Sequence, residues 1–143
     1  MDLRRKAWQL PLRLAAGSYV VNSGLSKWDA DEVSAKQLQS FASGAYPLLA
    51  SVDARLFVKA LSASEVVIGA ALLLPFVPPG AAGVGLATFS AGLLGLYLRT
   101  PDMRLEGSLR PTEQGLPLAK DVWLAAIGAS LIIDGLAGRG SRS

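Results

Sequence analysis

Apolar positions gather in four blocks of about 20 residues each, separated by polar stretches where charges, prolines and glycines concentrate. A helix rises 1.5 Å per residue, so about 20 residues cross a hydrocarbon core roughly 30 Å thick. The blocks predict membrane-spanning helices at 8–27, 57–77, 80–98 and 116–136. The second and third meet at Val77-Pro78-Pro79-Gly80, where the prolines end one helix and the glycine eases the turn, predicting a tight helical hairpin. The expected fold is all-α, a four-helix integral membrane bundle forming one membrane domain over 1–143.

The polar stretches differ in character. Between the first two spans, Asp29 or Asp31 can cap a short helix running through Ser43 and ended by Gly44 and Pro47. Its apolar stripe of Val33, Phe41 and Ala45 is weak, so a lid lying over the bundle and a solvated loop both stay open. Between the last two spans, charges alternate with Pro101, Gly107, Pro111 and Gly115, which reads as an irregular loop.

Polar residues inside the spans are costly and therefore informative. Arg13, Gly17, Val20, Gly24 and Lys27 repeat every three or four residues and share one face of the first span. Lys120, Trp123, Ile127, Ser130 and Asp134 form a comparable stripe on the fourth. Depth along the helices then sorts these groups into two clusters. Arg13 and Asp134 share a depth near one membrane face and predict a structural ion pair. Asn22, Lys27 and Glu65 meet near the other face, with Arg99, Lys120 and Asp121 at the mouth. Together Asn22, Lys27, Glu65, Lys120 and Asp121 outline a pocket for a quinone or another small molecule. Glu65, too deep to reach water easily, is the candidate proton site. Gly17, Gly24, Gly69, Gly85 and Gly95 offer surfaces for close helix approach, and Gly83 and Gly92 read as outward faces for foreign helices.

Composition narrows the chemistry. Of 143 residues, 51% are hydrophobic and 17% charged, against about 25% charged in a typical soluble domain. Mean hydropathy is +0.38, and no charge occurs from Val66 to Leu98. With no cysteine and no histidine, the chain cannot build thiol redox centres, Cys or His zinc sites, His-ligated haem or a Ser-His-Asp triad, and no metal site is expected. The net charge of +3 lies at helix ends and termini rather than in one aromatic-interleaved patch, which argues against nucleic acid. Arg4, Arg5 and Lys6 before the first span, and Arg139 and Arg142 after the fourth, predict cytoplasmic termini, while both long connections carry charges of both signs. Arg13 interrupts the first apolar block and no small-x-small cleavage site follows, so a retained helix is expected rather than a signal peptide. Trp8, Trp28, Tyr97 and Trp123 fall near the predicted interfaces.

The pattern Arg13-x3-Gly17-x6-Gly24-x2-Lys27, then Pro47, then Glu65-x3-Gly69-x2-Leu72, then Lys120-Asp121, resembles the DoxX-like membrane proteins. The resemblance implies a four-helix protein of the bacterial inner membrane, often a small subunit beside soluble or membrane partners. Some members are associated with thiosulfate oxidation coupled to quinone. The family pattern would cover Arg13, Gly17, Gly24, Lys27, Glu65, Gly69, Lys120 and Asp121.

The leading functional expectation is a non-catalytic accessory or scaffold subunit of a larger respiratory or redox complex, with other membrane subunits and the lipid bilayer as partners. One alternative is the membrane subunit of a quinone-linked oxidoreductase, with Glu65 passing protons and electrons supplied by a partner. Another is a small-molecule binder or a permease, which with four short spans would require a homo-oligomer.

Overall fold

The computed structural model describes residues 7–100 and 102–140. Arg4, Arg5, Lys6, Pro101 and Arg142, expected to have topological or turn roles, lie outside the described residues. Among the described residues the chain is helical, with one isolated antiparallel bridge between Arg104 and Pro111 and no strand. The helices are α1 (Gln9–Trp28), α2 (Glu32–Ala45), α3 (Ala54–Leu73), α4 (Pro79–Arg99), the short α5 (Leu116–Ala119) and α6 (Val122–Gly140), with a 3-10 turn over Pro47–Ser51.

Three segments, Ala54–Leu73, Pro79–Arg99 and Leu116–Gly140, are long and apolar enough to cross a membrane. The fourth predicted span, α1, matches them in length but carries Arg13 and Lys27, which lower its apolarity. Side chains left bare on these helices are largely aliphatic, as Val67, Val84, Ile133 and Leu136 show, each more than half exposed. Soluble domains seldom present so much contiguous apolar surface, whereas lipid makes it costless.

The four long helices form two tight pairs, α1 with α3 and α4 with α6. Glycine decides both pairings. A β-carbon at Gly17 would lie 3.0 Å from the Gly69 carbonyl oxygen, and one at Gly69 would lie 2.8 Å from the Val21 nitrogen, so the α1 and α3 backbones touch. In the second pair a β-carbon at Gly83 would lie 2.6 Å from the Gly128 carbonyl oxygen. Gly83 is thus buried inside the protein and not on an outward face, while an added β-carbon at Gly92 would meet nothing within 4 Å. Close backbone approach of this kind replaces the hydrophobic drive that lipid cannot supply.

Consecutive helices α3 and α4 are, by contrast, only loosely packed on each other. The turn between them is short as predicted, but α3 stops at Leu73, four residues before the expected Val77. A proline ring disfavours helical backbone at the residue before it, so Pro75 holds Leu74 in extended backbone (ψ 119°) and ends α3 ahead of the Pro78-Pro79 pair that opens α4. The helix also starts earlier than predicted, at Ala54, because the Asp53 carboxylate accepts the Leu56 amide at 3.1 Å.

The first connection is a lid. Asp31 accepts the Ser34 amide at 2.8 Å and caps α2, whose buried face is Ala35, Ala42 and Ala45, with Val33 turned outward at 64% exposure. Gln39 donates to the Leu49 and Val52 carbonyls and folds the 3-10 turn back under α2. Tyr46 then donates its hydroxyl to the Gly92 carbonyl at 2.8 Å, and Arg99 donates to the Ala45 carbonyl at 3.3 Å, fastening the lid to α4. The second connection is more ordered than expected. Leu105 donates to the Arg110 carbonyl at 2.8 Å and Thr112 to the Met103 carbonyl at 3.0 Å, closing a hairpin turned at Gly107, where φ is +70°. Tyr97 donates to the Leu109 carbonyl at 2.6 Å, so this ring is buried beneath the loop rather than placed at an interface.

Candidate functional site

Each end of the bundle holds one polar arrangement. At the α3–α4 turn, the early end of α3 strands its last carbonyls, and Arg13 of α1 collects them. Its Nε donates to Leu72 at 2.8 Å, and its Nη2 reaches Ala71, Leu74 and Val77 at 2.9, 3.0 and 3.1 Å. The guanidinium supplies both the missing donors and a positive charge at the negative end of the α3 dipole. The predicted Arg13–Asp134 ion pair is not formed, because Asp134 instead accepts a hydrogen bond from the Gln9 amide. Asp134 is thereby satisfied by a neutral partner and Arg13 by backbone, so this end is structural.

Near the lid, Glu65 and Lys27 form a close ion pair, with Lys27 Nζ at 3.0 Å from Oε2 and 3.2 Å from Oε1. Glu65 lies roughly 16 Å along α3 from Ala54 and is buried, only 3% exposed. Ser23 joins the pair, accepting from Lys27 Nζ at 2.6 Å and donating to Glu65 Oε1 at 3.2 Å. Lys27 completes its donors at the Ser23 carbonyl, 3.1 Å away. Beside them Ser62 donates to the Gly24 carbonyl at 2.6 Å, in contact that only glycine permits: a β-carbon there would lie 2.9 Å from the Ser62 carbonyl oxygen.

These groups close one end of a cavity of about 470 Å³ in the seam between the two helix pairs. Its size falls within the range of about 300–1,000 Å³ common for small-molecule sites. The seam has two hydrophobic clusters. Leu72, Leu86, Leu124, Leu131, Val20, Ala16 and Ala82 fill it toward the α3–α4 turn. Ala42, Ala45 and Leu96, with Phe41, Tyr46, Leu49, Phe57, Leu93 and Leu118, line it beneath the lid. Between the clusters lies the cavity, walled largely by apolar side chains, with Ser23, Lys27, Glu65 and Asp121 among its polar lining residues.

Of the residues expected to outline a pocket, Lys27, Glu65 and Asp121 line this cavity. Asn22 does not; it faces outward, and its neighbour Ser23 takes the place expected of it. One residue of helix turns a side chain by about 100°, and Ser23 stands four before Lys27, on the same face. Lys120 is exposed outside the cavity at the break between α5 and α6. Arg99 is drawn to the lid, its guanidinium 5.2 Å from the centre of the Tyr46 ring. The α6 stripe is also corrected. Asp121, Leu124, Gly128 and Leu131 face inward, one residue on from the predicted series, and Trp123 is 70% exposed. Packing of Gly128 on Gly83 sets that rotation, since α6 carries too little polarity to set it by contrast.

Sequence reasoning missed the lid aromatics Phe41 and Tyr46 as cavity walls, together with Phe57 and Phe89. A partial signal was present in the series Ala35, Leu38, Ala42, Ala45, spaced by three and four, which marks the inner face of α2 better than Val33 does. Among the described residues no group of histidine, cysteine or acidic side chains is arranged to hold a metal ion. Compared with models of known families, with curated proteins and with solved structures, the chain matches none.

Proposed function

We propose that this chain is a multi-pass membrane protein that binds a small amphipathic molecule in the seam between its helix pairs. The observation that carries the reading is the cavity itself: a partly open, apolar volume of about 470 Å³ ending at a buried ion pair and a further carboxylate. An apolar body with one polar head matches that distribution.

In this reading α1 crosses the bilayer with the three apolar helices and completes a four-helix bundle. Its two cations do not oppose insertion, because Arg13 is spent on the α3 carbonyls and Lys27 on Glu65. Its outward residues Leu10, Leu14 and Leu25 are each more than half exposed, as a lipid-facing surface would be. The positive charges at both ends of the sequence favour cytoplasmic termini, and the resemblance to DoxX-like proteins favours a bacterial inner membrane.

A role as accessory subunit of a quinone-linked assembly is a narrower form of the same reading. A quinone would be the amphipathic ligand, and a partner would supply electrons that a chain without cysteine or histidine has no side chains to carry. Glu65 is poorly suited to proton transfer in that case, since Lys27 and Ser23 already occupy its oxygens.

The test is photolabelling of the purified protein in phospholipid nanodiscs with an alkyl diazirine. Binding in the seam predicts saturable label on Phe41, Leu93 and Leu118, abolished by Gly92→Phe, which adds bulk at a cavity-lining position where a β-carbon meets nothing within 4 Å. Label confined to lipid-facing residues and unchanged by Gly92→Phe would overturn the proposal.

A further inference from the structure

We infer that the head group recognised in this cavity is a protonated amine and that Asp121 is its counter-ion. The inference rests on the seam cavity being a ligand site and names the class of ligand.

The ion pair and its neighbours are already engaged. Lys27 gives its protons to Ser23 and Glu65, Ser23 donates to Glu65, and the Tyr46 hydroxyl is bound to the Gly92 carbonyl. Asp121 differs. It is 4% exposed, it lines the cavity, and among the described residues no hydrogen bond is made to its side chain. A largely buried carboxylate without a protein donor is costly unless water or a ligand reaches it, and the cavity is the route by which one can.

Charge narrows what that something is. Lys27 and Glu65 cancel, and the Asp121 carboxylate faces the cavity offset only in part by its exposed neighbour Lys120, while Glu65 repels it. Lys120, the nearest cation along the chain, is exposed outside. An anionic head would meet two carboxylates at the closed end and find the lysine already taken. A protonated amine instead offers hydrogen-bond donors and the compensating charge together, and the remaining walls accept an alkyl body. An amine head can belong to a free amphiphile or to an aminophospholipid, and the chemistry at Asp121 is the same.

The experiment uses the full chain in phosphatidylcholine nanodiscs, with binding of decylamine, decanol and decanoate read by native mass spectrometry. Wild type should prefer decylamine over decanol by about 10- to 100-fold, the span expected for a charge-assisted bond. Asp121→Asn, which keeps the side chain's shape, should erase that preference and leave decanol binding unchanged, while Asp121→Glu should restore part of it. Thermal unfolding of each variant checks that it is folded. Equal binding of all three probes by wild type, or a preference that survives Asp121→Asn, overturns the amine assignment and leaves the cavity reading intact. No probe bound more tightly by wild type than by Gly92→Phe overturns both. Adding phosphatidylethanolamine to the discs separates the two sources: competition against decylamine identifies the lipid head group, and its absence a free amine.

Discussion

Replacing Arg13 by methionine removes the one side chain that satisfies the stranded end of α3. Four carbonyls lie within 2.8 to 3.1 Å of its Nε and Nη2. Of these, Leu72 and Ala71 belong to the last turn of the helix and have no other route to a donor in a dry environment. An unsatisfied buried carbonyl costs about 1–3 kcal/mol, and relief from desolvating the guanidinium offsets part of the sum, so a net loss of about 3 kcal/mol is expected. Asp134→Asn should cost less than about 1 kcal/mol, because an amide oxygen still accepts from Gln9. The assay is reversible unfolding in mixed detergent micelles followed by circular dichroism, applied to both single variants and the double variant. Since Arg13 and Asp134 use separate partners, their coupling energy should stay below about 1 kcal/mol. A coupling of about 3 kcal/mol or more would show that the two charges pair after all, and would refute the assignment of Arg13 as a cap.

Other consequences are open to measurement. Gly69→Ala should destabilise the protein by about 1–3 kcal/mol, since its β-carbon meets the Val21 and Gly17 backbones, whereas Gly92→Ala should be near neutral in the same unfolding assay. Lys27→Met alone should cost about 2–3 kcal/mol by leaving Glu65 buried without its cation, and adding Glu65→Leu should recover most of that loss on a thermal melt. The amide and hydroxyl of Ser34 hold the exposed Asp31 carboxyl below its ordinary value of 3.8. A depressed folded value gives stabilisation that is present above the ordinary value and lost as pH falls through the folded one, so the first turn of α2 should fray under acid. Amide exchange at Ser34 should report this fraying below about pH 3.8, and Asp31→Asn should flatten the pH dependence while keeping the cap.

The elements of this fold were legible where the pattern had contrast. In α1 the small and polar residues Arg13, Gly17 and Gly24 recur at helical spacing against leucine and valine, and that face is the one laid on α3. The lid helix could be placed because Asp31 and Pro47 punctuate it. What could not be read depended on partners. Charge and similar depth point Arg13 to Asp134, yet its partners are set by where α3 stops, a backbone event governed by Pro75. The face of α6 was misjudged by one residue because its inward side is chosen by glycine fit with Gly83 and not by polarity. Of the two carboxylates in the cavity, Glu65 is hydrogen-bonded to Lys27 and Ser23, whereas among the described residues no hydrogen bond reaches the Asp121 side chain, a difference that depends on packing and not on residue type.

The most direct test of a ligand-binding seam is mass spectrometry of the small molecules extracted from the protein after purification from native membranes in mild detergent, with Gly92→Phe purified in parallel. The account predicts one amphipathic species near one copy per chain in the wild-type extract and its loss from the Gly92→Phe extract, with bulk lipids equal in both. Indistinguishable extracts from two equally folded proteins would contradict it.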